Sequence, residues 1–520
     1  MDVSTVADLA RNQARLTPNR TALVFQERRT SFAELDRRAN QVAHGLLAAG
    51  AHDQGLIAVL DQNNDYFYEI CIGAARVNAG VVPLDPSLSM QDLLQILRDC
   101  KPRALFVGAA YTPLIDQLGL ELYFLDFILE MGTPYELWRD VQPWREPGVT
   151  IDGSGISLLL YAGIKYGAFE RVLFTHEHIF HKMAAVGWEE GGLVAGNGEY
   201  DIALICLPNA HAGGSVYGLT ALSQGAQLVI GPEVISRDIA ALIDRERVTR
   251  SLMMPEVIPE LLVGFRSGIG DYETLRKLLF VAVPMPTVLL LSALFTFTKT
   301  AFSKLYGLTE SCGPVCYLDE NDHRAIAAGN LDLARSCGRP ISGVDVRVVD
   351  EKGSPLTAGR MGEINYRITK SIEGSWGEHD ENQPMSQEGW RSTRDVGFMD
   401  TQGYVFIHDP ERDTIFFNGV SVNPAEIETV LYAHPAIADI AVIGVPDVDS
   451  GESIKAVAVL RSGAVLQPID LITYAQERLS AIKVPTSVDF VETLPRSPNG
   501  RVFRWAVRER YWEHSSLRDE

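Results

Sequence analysis

The string Leu305-Tyr306-Gly307-Leu308-Thr309-Glu310 ends an apolar run on a glycine-permitted turn and then sets a hydroxyl beside a carboxylate. Such a pair could hold a phosphate and its Mg2+, because hard divalent cations take oxygen ligands. A surface turn with a solvated glutamate accounts for the same residues, and taken alone the string reads as the latter. Cys312 and Cys316 follow at a spacing of four, but no second Cys/His pair completes a zinc set. These two, with Cys71, Cys100, Cys206 and Cys337, read as buried reduced thiols rather than a disulfide framework.

Elements must position those groups. Residues 4–16 and 31–49 carry helical patterns, the second opening on Ser31 with Glu34 three positions later, a capping box. Its apolar residues Phe32, Leu35, Ala39, Val42, Leu46 and Leu47 recur at helical spacing. Short apolar runs then alternate with helices: Leu56–Leu60 before a helix near 64–78, and Ala104–Val107 after one near 90–99. Ile202–Leu207, Gln227–Ile230 and Leu278–Val283 continue the series. Alternation of this kind predicts an α/β fold, a large N-terminal domain of mixed and mainly parallel sheets with flanking helices.

From Gly338 the texture changes. Val344–Val349, Gly362–Ile368 and Tyr404–Ile407 read as strands of a small β unit spanning about 338–408, and 371–389 as a polar loop. Helices 424–433 and 467–479 with strands 438–444, 454–460 and 487–491 predict a smaller C-terminal α+β domain. The expected division is 1–408, a hinge at 409–412, and 413–520.

The 520-residue length calls for more than one hydrophobic core. With 46 basic and 67 acidic residues the net charge is −21, which makes nucleic acid and anionic membrane poor partners. An anionic nucleotide then needs a local cationic or backbone-amide pocket. The first twenty residues lack a secretory pattern, and the most apolar stretch, Val281–Phe297, is short for a membrane span and carries Pro284 and Pro286. The expectation is a cytoplasmic protein.

Tyr306-Gly307-Leu308-Thr309-Glu310 resembles the YGxTE motif of the adenylate-forming, acyl-CoA synthetase-like ligases. Further matches fall in that family's order. Leu207-Pro208 with His211 and Gly213 resembles LPxxHxxG, and Gly338-Arg339-Pro340 with Gly343 resembles GxPxPG. Ser392-Thr393-Arg394-Asp395 is similar to the TGD motif. Asp409 through Glu428, and Leu494-Pro495-Arg496 with Asn499-Gly500-Arg501, resemble the hinge and the terminal LPRxxxGK. Val82-Pro83-Leu84-Asp85-Pro86 is similar to an N-terminal family segment. The order of the matches carries the resemblance; each motif alone is weak.

The resemblance implies an acid–thiol ligase that joins a carboxylic acid to ATP as an acyl-adenylate and then passes the acyl group to a thiol such as that of coenzyme A. It implies that Glu310 ligates Mg2+, Thr309 contacts phosphate, Asp395 accepts the ribose hydroxyls and Tyr306 lies against adenine. It aligns Arg412 with the hinge and sets His211, Asn209, Val281 and Cys312 along the acid's pocket. His211 also reads as a core histidine satisfied by backbone.

Departures from the pattern concentrate on phosphate handling. The stretch aligned with the phosphate loop, Tyr161 to Arg171, keeps Tyr161 and Gly167 but has Ala162, Gly163, Lys165 and Tyr166 where the family has hydroxyls, and Glu170 at the lysine. Lys165 and Arg171 are the cations able to compensate. Arg501 stands at the catalytic lysine, a planar fork in place of a compact ammonium. Val281-Ala282-Val283-Pro284 replaces the adenine-side glycines, Pro410 a ribose-side arginine, and Arg394 the glycine of TGD. Two functions follow: a ligase with a rewired phosphate site, or a homologue that binds or transfers an acyl group or acyl-thioester without ATP or serves as a partner subunit. A homodimer or a partner enzyme is open under either. The pocket stretches 206–217, 281–286 and 306–316 favour an aromatic or medium-length acid.

Overall fold

The computed structural model describes residues 5–165, 168–185, 201–232, 238–270, 272–281, 285, 287–311, 313–350, 352–368, 389–407, 415–417, 420–422, 424–447, 451–495 and 504–512. Contacts divide the chain into two compact units, Met1–Asp345 with Arg367–Arg391, and Val346–Tyr366 with Ser392–Glu520.

In the first unit, Gln227–Ile230, Ile202–Ile205, Arg250–Met253, Lys277–Phe280 and Ala301–Leu308 are consecutive parallel neighbours in one sheet. Gln227–Ile230, Ile202–Ile205 and Lys277–Phe280 are mostly apolar, whereas the other two also bury Arg250, Ser251, Ser303 and Lys304. The direction then reverses: Gly313–Leu318 pairs antiparallel with Ala301–Leu308 and with Ser336–Pro340. A second, 6-stranded sheet runs Phe127–Glu130, Ala104–Val107, Leu56–Leu60, Gly80–Leu84, Ile156–Lys165 and Ala168–Thr175, closing on an antiparallel hairpin.

The helix Phe32–Ala48 forms as its sequence dictates. Ser31 Oγ accepts the Glu34 N–H and the Glu34 carboxylate accepts the Ser31 N–H, satisfying two orphan donors at once. Its packing is fixed by a buried charge. Glu69, 0% exposed on the helix Tyr66–Ala75, accepts from Arg38 on one side and from Arg139 and Tyr135 on the other. Desolvation pushes the Glu69 carboxyl pKa up, and the two guanidiniums oppose that rise. Removing one arginine would leave the buried carboxylate with a single guanidinium to offset its desolvation.

In the second unit, Ile437–Asp447 pairs antiparallel with Gly451–Leu460, which pairs in parallel with Ser487–Phe490. Both faces of this sheet are covered. Ile440 and Val442 feed one core with the helices Pro424–Tyr432 and Pro468–Gln476. Ala441, Ile443 and Val445 feed another with Leu494 and Val507. Arg391–Met399 and Val405–Ile407 form an antiparallel pair in which Phe398 and Phe406 stack at 4.8 Å. The small strand unit and the smaller C-terminal α+β unit expected from the texture are both present.

Two expected strands are shorter than read. Ile202–Leu207 stops at Ile205 because the Leu207 carbonyl is taken by Asn63 Nδ2 at 2.8 Å, which turns the chain out of the sheet. Leu278–Val283 is Lys277–Phe280, with Val281 still bonded to the Met253 carbonyl. The larger correction is 161–171, aligned as a loop but built mostly as hairpin strands. The polar loop at 371–389 lies, but for Gly389, outside the described residues, as do the boundary and hinge at 409–412. Among the described residues, no helix is long and apolar enough to cross a membrane.

Two buried histidines give the first unit an acid sensitivity. His176 sits 0% exposed and His323 1% exposed, with His323 Nδ1 2.7 Å from the Asp319 carbonyl oxygen. Desolvation pushes both imidazoles down from 6.5 to about 4. Below pH 6.5 the unfolded chain takes up protons that the folded one refuses, so stability is full above that pH and declines as pH falls toward 4. The expected loss is on the order of 3 kcal/mol per ring at pH 4, read as a falling urea midpoint; His323→Leu should flatten its share of that slope.

Candidate active site

The strand Ala301–Leu308 ends where the parallel sheet reverses, and the chemistry-bearing residues sit on that reversal. Tyr306 is opposite Cys316, Gly307 opposite Pro314, and Leu308 opposite Gly313, so Val315 is skipped and forms a bulge. Between the strands, Thr309–Ser311 make one tight helical turn. Ser311, fully buried, pins it: its Oγ accepts the Leu308 N–H at 2.9 Å and lies 2.8 Å from the Leu308 carbonyl and 2.6 Å from that of Gly313. Thr309 and Glu310 are therefore held half-buried on a turn fixed by a neighbour that no motif singled out. The sequence signal for Ser311 was present only as a small hydroxyl after the motif.

Gly307 is required by close approach. A Cβ there would stand 2.2 Å from the Gly313 carbonyl oxygen. One strand away, a Cβ on Gly338 would stand 2.0 Å from the Tyr317 backbone, at φ 88°.

The hairpin Ile156–Lys165/Ala168–Thr175 packs against the Thr309–Ser311 turn through its first strand. Tyr161 faces Arg171 across the ladder and Ala162 faces Glu170, after which the pairing steps to Ile164 opposite Phe169. Gly163 is the residue left over, a bulge in the strand. Lys165 pairs with Ala168 beside the tip, and Gly167 at the tip lies outside the described residues. Arg171 points to Asp99 at 3.6 Å, and the Tyr161 hydroxyl donates to the same carboxylate at 2.6 Å. Among the described residues the aligned stretch thus offers a bulged ladder, and its Arg171 lies against Asp99.

His211 is not a core histidine. It caps the helix Ala212–Ser223, its side chain is 55% exposed, and Nε2 lies 3.7 Å from Asp85. Asp85 belongs to the Val82–Pro86 segment, so the two matched segments meet. Asn209 is buried: its N–H bonds Asn63, its Oδ1 accepts from Tyr68, and its Nδ2 has no partner among the described residues. The following helix packs on Gly313–Leu318, carrying Cys316. Val281 is half-buried at the end of its strand. Cys312, Arg412 and Arg501 lie outside the described residues.

In the second unit, Asp395 and Arg394 lie on Arg391–Met399, both half-buried. Thr393 Oγ1 accepts the Asp395 N–H at 3.1 Å and donates to the Ile364 carbonyl at 2.7 Å. Ser392 Oγ accepts the Arg394 N–H at 2.9 Å and bonds Glu363. Arg394 itself is left-handed, φ 66°. Behind the terminal segment, Arg504 forks onto Glu428, whose Oε1 also accepts the Val442 N–H at 2.8 Å. Among the described residues no cluster of three or more His, Cys, Asp or Glu side chains is poised to hold a metal.

The AMP-binding enzyme profile matches residues 10–376, and the AMP-binding enzyme C-terminal domain profile residues 426–501. A fatty acid–[acyl-carrier-protein] ligase of Streptomyces coeruleorubidus is 29% identical, with 99% of this chain and 98% of that protein covered. A feruloyl-CoA synthase of an Amycolatopsis species is also 29% identical, over 96% and 97%. The solved fatty acyl CoA synthetase of Mycobacterium tuberculosis superposes with a TM-score of 0.70 at 26% identity, covering 98% of each chain.

Gly307→Ala should force the strand reversal apart and cost on the order of 2–3 kcal/mol in urea unfolding. Gly213→Ala, whose Cβ would meet only the flexible end of Leu207 at 3.1 Å, should cost less than about 1 kcal/mol.

Proposed function

This chain belongs to the AMP-binding enzyme family, and on that premise we propose that it is an acid–thiol ligase working through an acyl-adenylate. The observation that carries the reading is the Thr309–Glu310 turn, fixed by Ser311 and packed under the bulged hairpin, in a chain whose ligase relatives match it from end to end. A carboxylate oxygen of the acid attacks the α-phosphorus of ATP and the bond to pyrophosphate breaks. A thiol, as thiolate, then attacks the acyl carbon and AMP leaves.

The chain's own residues handle charge. Glu310, with Thr309 beside it, is the oxygen donor set that would hold Mg2+, which would supply neutralisation of the triphosphate when bound. Asp395 takes the ribose hydroxyls and Tyr306 the adenine face. Lys165 and Arg501 bring positive charge to the reacting carboxylate and phosphate, and the Gly163 bulge re-aims the backbone of its own strand. His211, Asn209, Val281 and Cys312 line the acid's pocket, and Arg412 lies in a hinge about which residues 413–520 turn between the two half-reactions. Gly167 belongs with Gly163 to the nucleotide-binding set, and Arg171 supports the hairpin by holding Asp99. An aromatic or medium-length acid and coenzyme A or a carrier-protein thiol are the proposed substrates, in the cytoplasm where ATP and thiol are supplied.

ATP–pyrophosphate exchange with a panel of aromatic and medium-chain acids tests the reading: exchange should depend on the acid and on Mg2+. Arg501→Ala should lower it on the order of a hundredfold, the scale set by one lost transition-state charge contact, and Arg501→Lys should retain or raise it. Folded protein that exchanges with no acid would overturn the proposal.

A further inference from the structure

Asn63 fastens the two sheets of the first unit to each other. It follows the strand Leu56–Leu60 of the 6-stranded sheet and reaches the chain that leaves Ile202–Ile205, a strand of the other sheet. Its Nδ2 donates to the Leu207 carbonyl at 2.8 Å and its Oδ1 accepts the Asn209 N–H at 2.9 Å, all three residues being buried. A carboxamide has one donor end and one acceptor end, so a single side chain serves both backbone groups. Tyr68, on the following helix, adds a third tie by donating to Asn209 Oδ1 at 3.1 Å.

The loop presenting Asn63 is itself braced. Asp61 accepts from the Gln62 N–H and from Asn64 Nδ2, each at 2.9 Å, and Asn64 Oδ1 accepts the Phe67 N–H at 3.1 Å. Asp61 sits on Gly108, where a Cβ would stand 2.2 Å from its Oδ1. Asp85 leaves the neighbouring strand, since Leu60 and Leu84 are register partners. His211 meets Asp85 across the same seam, but an exposed pair at 3.7 Å holds little by itself. The braced amide is the stronger hold on the segment that carries His211.

We propose that Asn63 is a positioning residue of the acid's pocket, setting affinity for the acid through the backbone of Leu207–His211. This rests on the ligase reading above and extends it to a residue that no matched motif contains. The Thr309–Ser311 turn is fixed by its own Ser311, so loosening the clamp should leave nucleotide handling alone.

Steady-state ATP–pyrophosphate exchange in the full-length protein, with the fastest acid of the panel above, tests it. Asn63→Ala should raise the KM for the acid about tenfold or more, the scale of two lost buried hydrogen bonds, while the KM for Mg·ATP stays within about twofold. Asn63→Asp keeps the acceptor but sets a carboxylate against the Leu207 carbonyl, and should shift the acid KM in the same direction. Tyr68→Phe retains the ring and loses only the third tie, so it gives a folded variant with a smaller rise, about threefold. Amide hydrogen–deuterium exchange in Asn63→Ala should quicken over Leu207–His211 and stay unchanged over Ala301–Ser311. An equal rise in both KM values, or a lower kcat at unchanged acid KM, would show that Asn63 only supports the fold. Unchanged deuterium uptake over Leu207–His211 would show that it clamps nothing; either result overturns the proposal. A parent active with no acid overturns the ligase reading along with it. An active parent whose variants keep its acid KM sinks the Asn63 assignment alone.

Discussion

Backbone packed directly on backbone governs the first unit. The strand Gly313–Leu318 is squeezed from one side at Gly307 and from the other at Gly338, each too close for any Cβ. That double contact sets where the parallel sheet turns antiparallel, and the turn carrying Thr309 and Glu310 is simply the chain's way across. Ser311 then converts a tight connection into a rigid one by serving three backbone groups with one hydroxyl. Side-chain chemistry at this point is inherited from main-chain geometry, so the motif's glycine matters as much as its carboxylate.

Second in importance is what surrounds the reversal. The hairpin contributes a bulge at Gly163 rather than a row of hydroxyls, and its cation at Arg171 is occupied by Asp99 and shares that carboxylate with Tyr161. His211 faces Asp85 at the mouth of its own helix instead of sinking into the core. These are departures in polarity rather than architecture. Folds tolerate them because loop ends and strand tips carry little of the packing energy.

Much of the fold was legible because period and punctuation agreed with burial. The capping box at Ser31 and Glu34 forms as written, and the strands Leu56–Leu60, Ala104–Val107 and Val344–Val349 fall on their apolar runs. Ile202–Ile205 was over-read because Cys206 and Leu207 are apolar but stand outside the ladder, the Leu207 carbonyl being claimed by Asn63. The 161–171 stretch aligns with a loop, yet Tyr161, Ala162 and Ile164 pair with Arg171, Glu170 and Phe169, continuing the ladder that Leu158–Leu160 begin opposite Phe174, Leu173 and Val172. Ser311, the Asp85 partner of His211 and the left-handed Arg394 were not legible: each depends on a contact or a torsion that no spacing encodes.

From Ile440 to Ile443 of Ile437–Asp447, in the second unit, both sets of alternating side chains are apolar, each buried in a core of its own. A slip by one residue would exchange grease for grease, so the usual penalty against misalignment is weak. Polar pins must do the discriminating: Glu428 reads the Val442 amide, Arg508 pairs with Glu452, and Gly444 alone leaves room for that glutamate. Fidelity of strand alignment in this unit is therefore an electrostatic decision taken inside an otherwise indifferent hydrophobic frame.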